Sequence, residues 1–141
     1  MSTENNKIIV RRVFEEGINQ KNTAVYDEII APGYVNHNFP APTSGPEGMK
    51  QVIGLFQAGF PDLRVIVEDV VAEADKVATR GYFTGTHRGE FNGIPATGKA
   101  VKVTYSDTWR VEGNRLVENW VQMDLMGLMQ QLGVIPAPGN R

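Results

Sequence analysis

Lys99-Ala100-Val101-Lys102-Val103-Thr104-Tyr105-Ser106-Asp107-Thr108-Trp109-Arg110-Val111 is the stretch that decides the fold. Val101, Val103, Tyr105, Asp107, Trp109 and Val111 fall on every second position, with Lys102, Thr104, Ser106, Thr108 and Arg110 between them. A period of two belongs to a strand with one face on a core and the other toward water. On the C-terminal side, Glu112-Gly113-Asn114 reads as a tight turn and Arg115 to Met123 as a further strand. A short helix then runs from Leu125 to Leu132, with Asp124 as its N-cap and Gly133 just past its end. The tail from Pro136 to Arg141 is expected to be loose. On the N-terminal side, Arg88 to Gly98 is a glycine-rich hairpin connection, and Val77 to His87 is a strand. Ala74-Asp75-Lys76 is a turn, and Leu63, Val65, Val67 and Val71 mark the first strand.

Before Leu63 the period is helical. Ile8, Ile9, Val13, Phe14 and Ile18 follow the possible caps Ser2 and Thr3. A second helix starts at Thr23, carries Val25, Tyr26, Ile29 and Ile30, and is stopped by Pro32-Gly33. Phe39 to Gly45 reads as a loop. A third helix opens on Ser44-Gly45-Pro46-Glu47, a capping-box pattern with Pro just inside the start, and Pro61-Asp62 ends it. Three helices followed by four antiparallel strands is an α+β order, in which the helices cover the apolar face of the sheet and enclose a pocket with it.

The chain has 141 residues, 41% of them hydrophobic and 21% charged, which is the mixture and length of one globular domain. Fourteen basic against sixteen acidic residues give a net charge of −2, unlike the basic excess of a nucleic-acid binder. The absence of cysteine excludes disulfides, thiolate metal sites and a cysteine nucleophile, and two histidines are too few for a histidine-rich metal site. No apolar run approaches the ~18 residues of a membrane span, and the N-terminus lacks the pattern of a signal peptide. A cytoplasmic protein is therefore expected, with no nucleic-acid or membrane partner. No Gly-x-Ser-x-Gly elbow or Walker-type loop is present, and the glycines at 81, 85, 89 and 93 are expected at bends rather than around a phosphate.

Asp107 stands out. A carboxylate in an apolar row is costly unless it is hydrogen-bonded, paired or neutralised, and burial raises its pKa toward the range where acid/base chemistry works. A buried Asp paired with Arg80 or bonded to backbone is the structural alternative. His37, within Tyr34-Val35-Asn36-His37-Asn38, and His87, at the end of its strand, are candidates to line the same site. Asn36 lies in a polar patch beside His37, and Tyr26, Tyr34 and Tyr105 are candidates to hydrogen-bond a substrate oxygen. Asp124 is explained by its cap, and Trp120 by packing or a subunit contact. Trp109 flanks Asp107 on its own face.

The helix–helix–helix–four-strand order resembles the cone-shaped NTF2-like fold. Within it the chain is similar to SnoaL-like polyketide cyclases, also labelled predicted ester cyclases. The resemblance rests on Ile9-Val10-Arg11-Arg12, Pro32-Gly33-Tyr34-Val35-Asn36, Gly45-Pro46-Glu47, Gly85-Thr86-His87-Arg88-Gly89 with Gly93-Ile94-Pro95-Ala96-Thr97, and Asp124-Leu125 through Gln131-Leu132-Gly133. It implies an intramolecular aldol condensation without cofactor or metal. In such a reaction a carboxylate removes a proton between carbonyl groups, and the enolate attacks a second carbonyl. The resemblance places the acid/base aspartate three positions before Asp124, at Val121, and a supporting histidine at Asp107. If so, the only pocket carboxylate left is Asp107.

Three readings follow. One is a cofactor-free cyclase, isomerase or dehydratase on a carbonyl-rich small molecule, with Asp107, His37, His87 and Asp124 as candidate catalytic residues. Its expected substrate contacts are Asn36, Arg80, Tyr105, Trp109 and Val121. The second is a non-catalytic protein that binds an apolar, polyketide-like ligand, which the valine at 121 favours. The third is an epoxide hydrolase, which wants an Asp-Arg-Asp arrangement and finds Tyr82 where the second Asp belongs. A homodimer through the outer sheet face is expected, with Trp120 as a contact.

Overall fold

A computed structural model describes residues 2–136. Helix α1 (Thr3–Arg12) is capped by Ser2, whose hydroxyl accepts the Asn5 N–H at 3.0 Å. It does not end there but widens into a π-helical segment, Val13–Asn19. Gly17 lies in this segment where the Tyr26 ring packs, and a Cβ there would meet the ring at 2.4 Å. Helix α2 (Ala24–Ile29) follows and turns directly into strand β1 (Ile30–Asn36).

That strand corrects the sequence reading, which gave the sheet four strands and let the second helix run to Pro32-Gly33. Pro and Gly break the alternating pattern that marks a strand, but an edge strand tolerates both. β1 is such an edge. It pairs only with β5 (Arg115–Met123), in parallel, and its register slips between Ile30 and Val35, across Pro32-Gly33.

Helix α3 (Gly45–Gly59) starts at Ser44 and has Pro46 in its first turn, but the expected capping box does not form. The Ser44 side chain makes no cap hydrogen bond, and Glu47 pairs with Lys50 one turn on at 3.1 Å. A lysine three residues ahead competes for the carboxylate that would otherwise reach back to the cap.

Strands β2 (Arg64–Glu73), β3 (Lys76–Thr86), β4 (Ala100–Glu112) and β5 form an antiparallel run, giving the sheet order β1-β5-β4-β3-β2. Gly113 and Asn114 both have positive φ, 58° and 62°, as a two-residue hairpin turn requires. Register shifts occur in β2 between Val67 and Asp69 and between β4 and β5 at Arg110/Val111. Such bulges bend a sheet. Gly81 faces the first of them, and a Cβ there would lie 2.0 Å from the Ile66 carbonyl oxygen, so this glycine marks a bend as expected. Helix α4 (Leu125–Leu132) closes the described chain. The expected loose tail lies outside the described residues from 137 onward.

The alternation read from residues 101–111 is the observed one: Val101, Val103, Tyr105, Asp107, Trp109 and Val111 are buried. They face the π-helical segment and α3 across a core that includes Phe14, Ile18, Met49, Phe56 and Phe60. Among the described residues, no helix is long and apolar enough to cross a membrane.

Candidate active site

The sheet's inner face and the helices leave a cavity of about 90 Å³ between them. Val13, Phe14 and Ile18 bound it from the π-helical segment, and Met49, Val52 and Phe56 from α3. Five of the lining side chains carry polar atoms: Asn36, Tyr105, Asp107, Trp109 and Asn119. All five come from β1, β4 and β5. A second hollow of about 170 Å³ adjoins it and shares Asn36, Phe39, Met49 and Val52 with the first.

Asp107 is 7% exposed. Its strand pairing places Thr79 on β3 to one side and Val121 on β5 to the other. Thr79 Oγ1 stands 2.5 Å from Asp107 Oδ1 and 3.3 Å from the Tyr105 hydroxyl. This chain of hydroxyls serves both protonation states. With Asp107 ionised, Tyr105 donates to Thr79 and Thr79 to the carboxylate. With Asp107 protonated, its own O–H donates to Thr79, and Thr79 to Tyr105. Either way no buried oxygen in the chain loses its partner, so a proton can arrive or leave without breaking the network.

Burial pushes the Asp107 carboxyl up to about 7, against the opposing pull of the Thr79 hydroxyl and the nearby Trp109 indole. The indole N–H leans toward the carboxyl without forming a well-directed hydrogen bond: Trp109 Nε1 has no partner among the described residues. Burial also raises the hydroxyls of Tyr105 and Tyr34, and the Asp107 charge adds to both shifts. At neutral pH both tyrosines therefore keep their protons.

The other sequence candidates separate cleanly. Asn36 lines the cavity, while its Oδ1 accepts the N–H groups of Asn38 and Phe39 and fixes the loop that follows. Arg80 does not pair with Asp107. It lies on the opposite face, next to Glu68 at 3.3 Å and Asp69 at 2.6 Å, because it is one residue out of phase with the inward Thr79. Among the described residues, the Asp-Arg-Asp arrangement of the epoxide hydrolase reading is therefore absent around Asp107. His37 does not line the cavity. Its ring stacks on Trp120 at 4.9 Å and its Nε2 meets Glu118 at 2.8 Å on the outer side of the sheet. His87 is fully buried but also outside the cavity, packed on Phe60. Its Nδ1 accepts the Thr97 N–H at 3.2 Å, which puts the ring proton on Nε2 and ties the long connection to its strand. Asp124 caps α4 through the Gly127 N–H at 2.8 Å and does not line the cavity. Asp124→Ala is expected to cost about 1 kcal/mol of stability, measured by denaturant unfolding, with ligand binding unchanged.

Two contributors were missed in the sequence: Thr79 and Asn119. Each is a polar residue in an inward row, Thr79 between Val77 and Gly81 and Asn119 ahead of Val121 and Met123, so the signal that singled out Asp107 marks them too.

A curved five-stranded sheet carrying helices on its inner face, with a buried carboxyl lining a largely apolar cavity, is the architecture of a small-molecule pocket protein of the NTF2-like kind. The sequence pattern of SnoaL-like polyketide cyclases matches residues 8–132, and the chain belongs to that family. IdmH from Streptomyces antibioticus, assigned as a polyketide cyclase, is 34% identical over 91% of this chain and 98% of its own, with a TM-score of 0.77. TsrD from Streptomyces laurentii is 30% identical over 96% and 99%, with a TM-score of 0.87. A protein from Jannaschia sp. CCS1, assigned as a SnoaL-like polyketide cyclase, is 28% identical over 95% of both chains, with a TM-score of 0.84. No curated protein matches the chain significantly.

Proposed function

We propose that this protein is a cofactor-independent acid/base enzyme that closes a ring in a carbonyl-rich, polyketide-like molecule, with Asp107 as its proton-transfer group. The observation that carries the reading is the buried Asp107 carboxyl, the only carboxyl lining the cavity among the described residues, held by a hydroxyl chain that accommodates both of its protonation states. The resemblance to the cyclases puts their acid/base at Val121, which cannot transfer a proton. Val121 and Asp107 are direct cross-strand partners on one face, where Cβ atoms lie about 5 Å apart. A carboxyl on β4 thus reaches the same part of the cavity as one on β5 would.

The chemistry runs in three moves. The Asp107 carboxylate takes the proton from a carbon flanked by two carbonyls, leaving the electron pair as an enolate. The enolate carbon bonds to a second carbonyl carbon of the same molecule, whose C=O electrons move to oxygen. That alkoxide takes the proton back from the Asp107 carboxyl, and the carboxylate is restored. Apolar walls keep water from the enolate, and a carboxyl near pKa 7 is matched to giving and taking a proton at neutral pH. The cavity is smaller than the ~150 Å³ apolar cavity that takes up benzene, so the reacting carbons sit beside Asp107 and the remainder of the substrate extends into the adjoining hollow past Phe39. The test is turnover by wild type and Asp107→Asn on a panel of linear and partly cyclised poly-β-ketones, read by mass spectrometry.

A second reading, a non-catalytic binder of an apolar metabolite, is favoured by Val121 alone. It expects tight ligand binding and no product from any member of the panel.

The assembly proposed is a homodimer through the outer sheet face. Trp120 is 36% exposed there and Val71 62%, on a face shared with the paired charges of Arg80 and Asp69. Light scattering is expected to give twice the monomer mass for wild type and a shift toward monomer for Trp120→Glu. A wild-type monomer at micromolar concentration contradicts this.

A further inference from the structure

Six buried side-chain nitrogen or oxygen atoms lack a hydrogen-bond partner among the described residues, and only two of them belong to residues that line the cavity: Trp109 Nε1 and Asn119 Nδ2. Both are donors. Trp109 is 3% exposed and Asn119 1%, so neither is served by bulk water. A buried donor without an acceptor is destabilising, and folded proteins leave few of them.

These two are adjacent. Trp109 and Asn119 are direct partners across β4 and β5, on the inner face. The orientation of the amide is explained by its other end: Asn119 Oδ1 accepts the Tyr34 hydroxyl at 3.0 Å, in a buried contact. With Oδ1 committed, the NH2 group is the end left over. Tyr34 is a firm donor because burial and the nearby Asp107 charge hold its proton on. The pair of donors sits one row from Asp107, since residues 107 and 109 are successive inward positions of one strand, roughly 6.6 Å apart. The indole also leans toward Asp107, so a carbonyl oxygen seated on the donor row can place its α-carbon beside the carboxyl.

We propose that Trp109 Nε1–H and Asn119 Nδ2–H form a two-donor site that binds the oxygen of the carbonyl being ionised and takes up its charge as the enolate forms. The inference rests on the acid/base reading of Asp107 and deepens it, by naming the groups that hold the substrate's oxygen and the class of substrate. That class is a planar enolisable ketone or a phenol-like enol, whose oxygen gains charge in the plane of the π system. Preorganised donors aimed at a developing oxyanion in a site closed to water are a strong source of rate acceleration. Tyr34 is a positioning residue in this scheme, acting through the Asn119 amide.

The test uses 4-nitrophenol as the oxyanion probe in the Asp107→Asn protein, where no carboxylate competes with the phenolate, and its visible absorbance reports the ionised fraction. The bound phenol is expected to ionise at lower pH than the free one, reflecting at least tenfold tighter binding of the phenolate than of the neutral phenol. Trp109→Phe and Asn119→Leu in that background should each weaken phenolate binding by about ten- to a hundredfold, as for a lost hydrogen bond to a charged group. Binding of 4-nitrotoluene, which has no oxyanion, should stay the same. In the otherwise wild-type fold, the indole N–H resonance of Trp109, assigned by comparison with Trp120→Phe, should move downfield when the probe is added. Equal binding of phenol and phenolate, no binding at all, unchanged affinity in both donor variants or an unmoved indole resonance would overturn the proposal. Phenolate binding that meets these expectations, with equal turnover by wild type and Asp107→Asn, would leave the donor site standing and remove Asp107 as the acid/base.

Discussion

Asp107→Asn is expected to lower the turnover of any substrate of this protein by two to four orders of magnitude, the range that general acid–base catalysis supplies. Asparagine keeps the size of the side chain and can still accept from Thr79, so the cavity and the binding of substrate should persist. What disappears is the capacity to take up and return a proton. The pH profile separates this role from a structural one. With proton removal limiting, the wild-type rate should climb through a pKa near 7, the value to which burial raises the carboxyl. The residual rate of Asp107→Asn should lack that limb. Steady-state kinetics from pH 5 to 9 on the substrate identified from the panel would measure both effects. Turnover per folded molecule that is the same in the two proteins contradicts the assignment.

The same burial has a cost in stability that grows with pH. In the unfolded chain Asp107 ionises near the ordinary 3.8, but in the folded protein only near 7. Between these values the native state holds a proton that the unfolded state has released, so stability falls as pH rises across that window. Below about pH 4 both states are protonated and the penalty is absent. Above about pH 7 both are ionised and the penalty is complete, at roughly 4 kcal/mol for a shift of this size. That is a large share of the ~5–15 kcal/mol by which most domains are stable. Asp107→Asn has no such penalty. Its stability relative to wild type should therefore improve as pH is raised from 4 to 8, by up to that amount. Asp62 and Glu118, whose carboxyls are held below their ordinary values by Thr86 and by Arg110 and His37 respectively, act with the opposite sign at lower pH. They are common to both proteins and cancel in the comparison. Urea unfolding of the pair at several pH values measures the difference, and parallel pH dependences would show that Asp107 ionises normally in the folded state.

The fold was legible where one face of an element is buried and the other is wet. The alternation from Val101 to Val111 gave the strand, its inward face and the burial of Asp107 together. The cap at Asp124 followed from local chemistry alone. What was not legible depended on partners distant in sequence. β1 has a proline, a glycine and no alternation, and only its pairing with β5 makes it a strand. Arg80 falls on the outer phase of β3, out of step with Val77, Thr79 and Phe83, and the expectation that it reaches Asp107 set that phase aside. His37 was placed near the site by its neighbours, yet Asn36 faces the cavity and the adjacent residue in the chain faces away. Thr79 and Asn119 were readable by the rule applied to Asp107, but a threonine or an asparagine is a weaker anomaly in an apolar row than a carboxylate. The resemblance to the cyclases pointed to Val121, and only the cross-strand register shows that this valine and Asp107 share one place in the cavity.

A carboxyl tuned to transfer protons at neutral pH must itself titrate there, and direct titration of Asp107 decides whether it does. Carbon-detected NMR of the Asp107 side-chain carboxyl, assigned by its loss in Asp107→Asn, follows ionisation at that atom alone. A midpoint near pH 7 is the result the buried, Thr79-bonded geometry predicts. A midpoint near 4, as for an aspartate in water, would mean that the folded protein does not desolvate the carboxyl, and would contradict both the mechanism and the stability argument drawn from it.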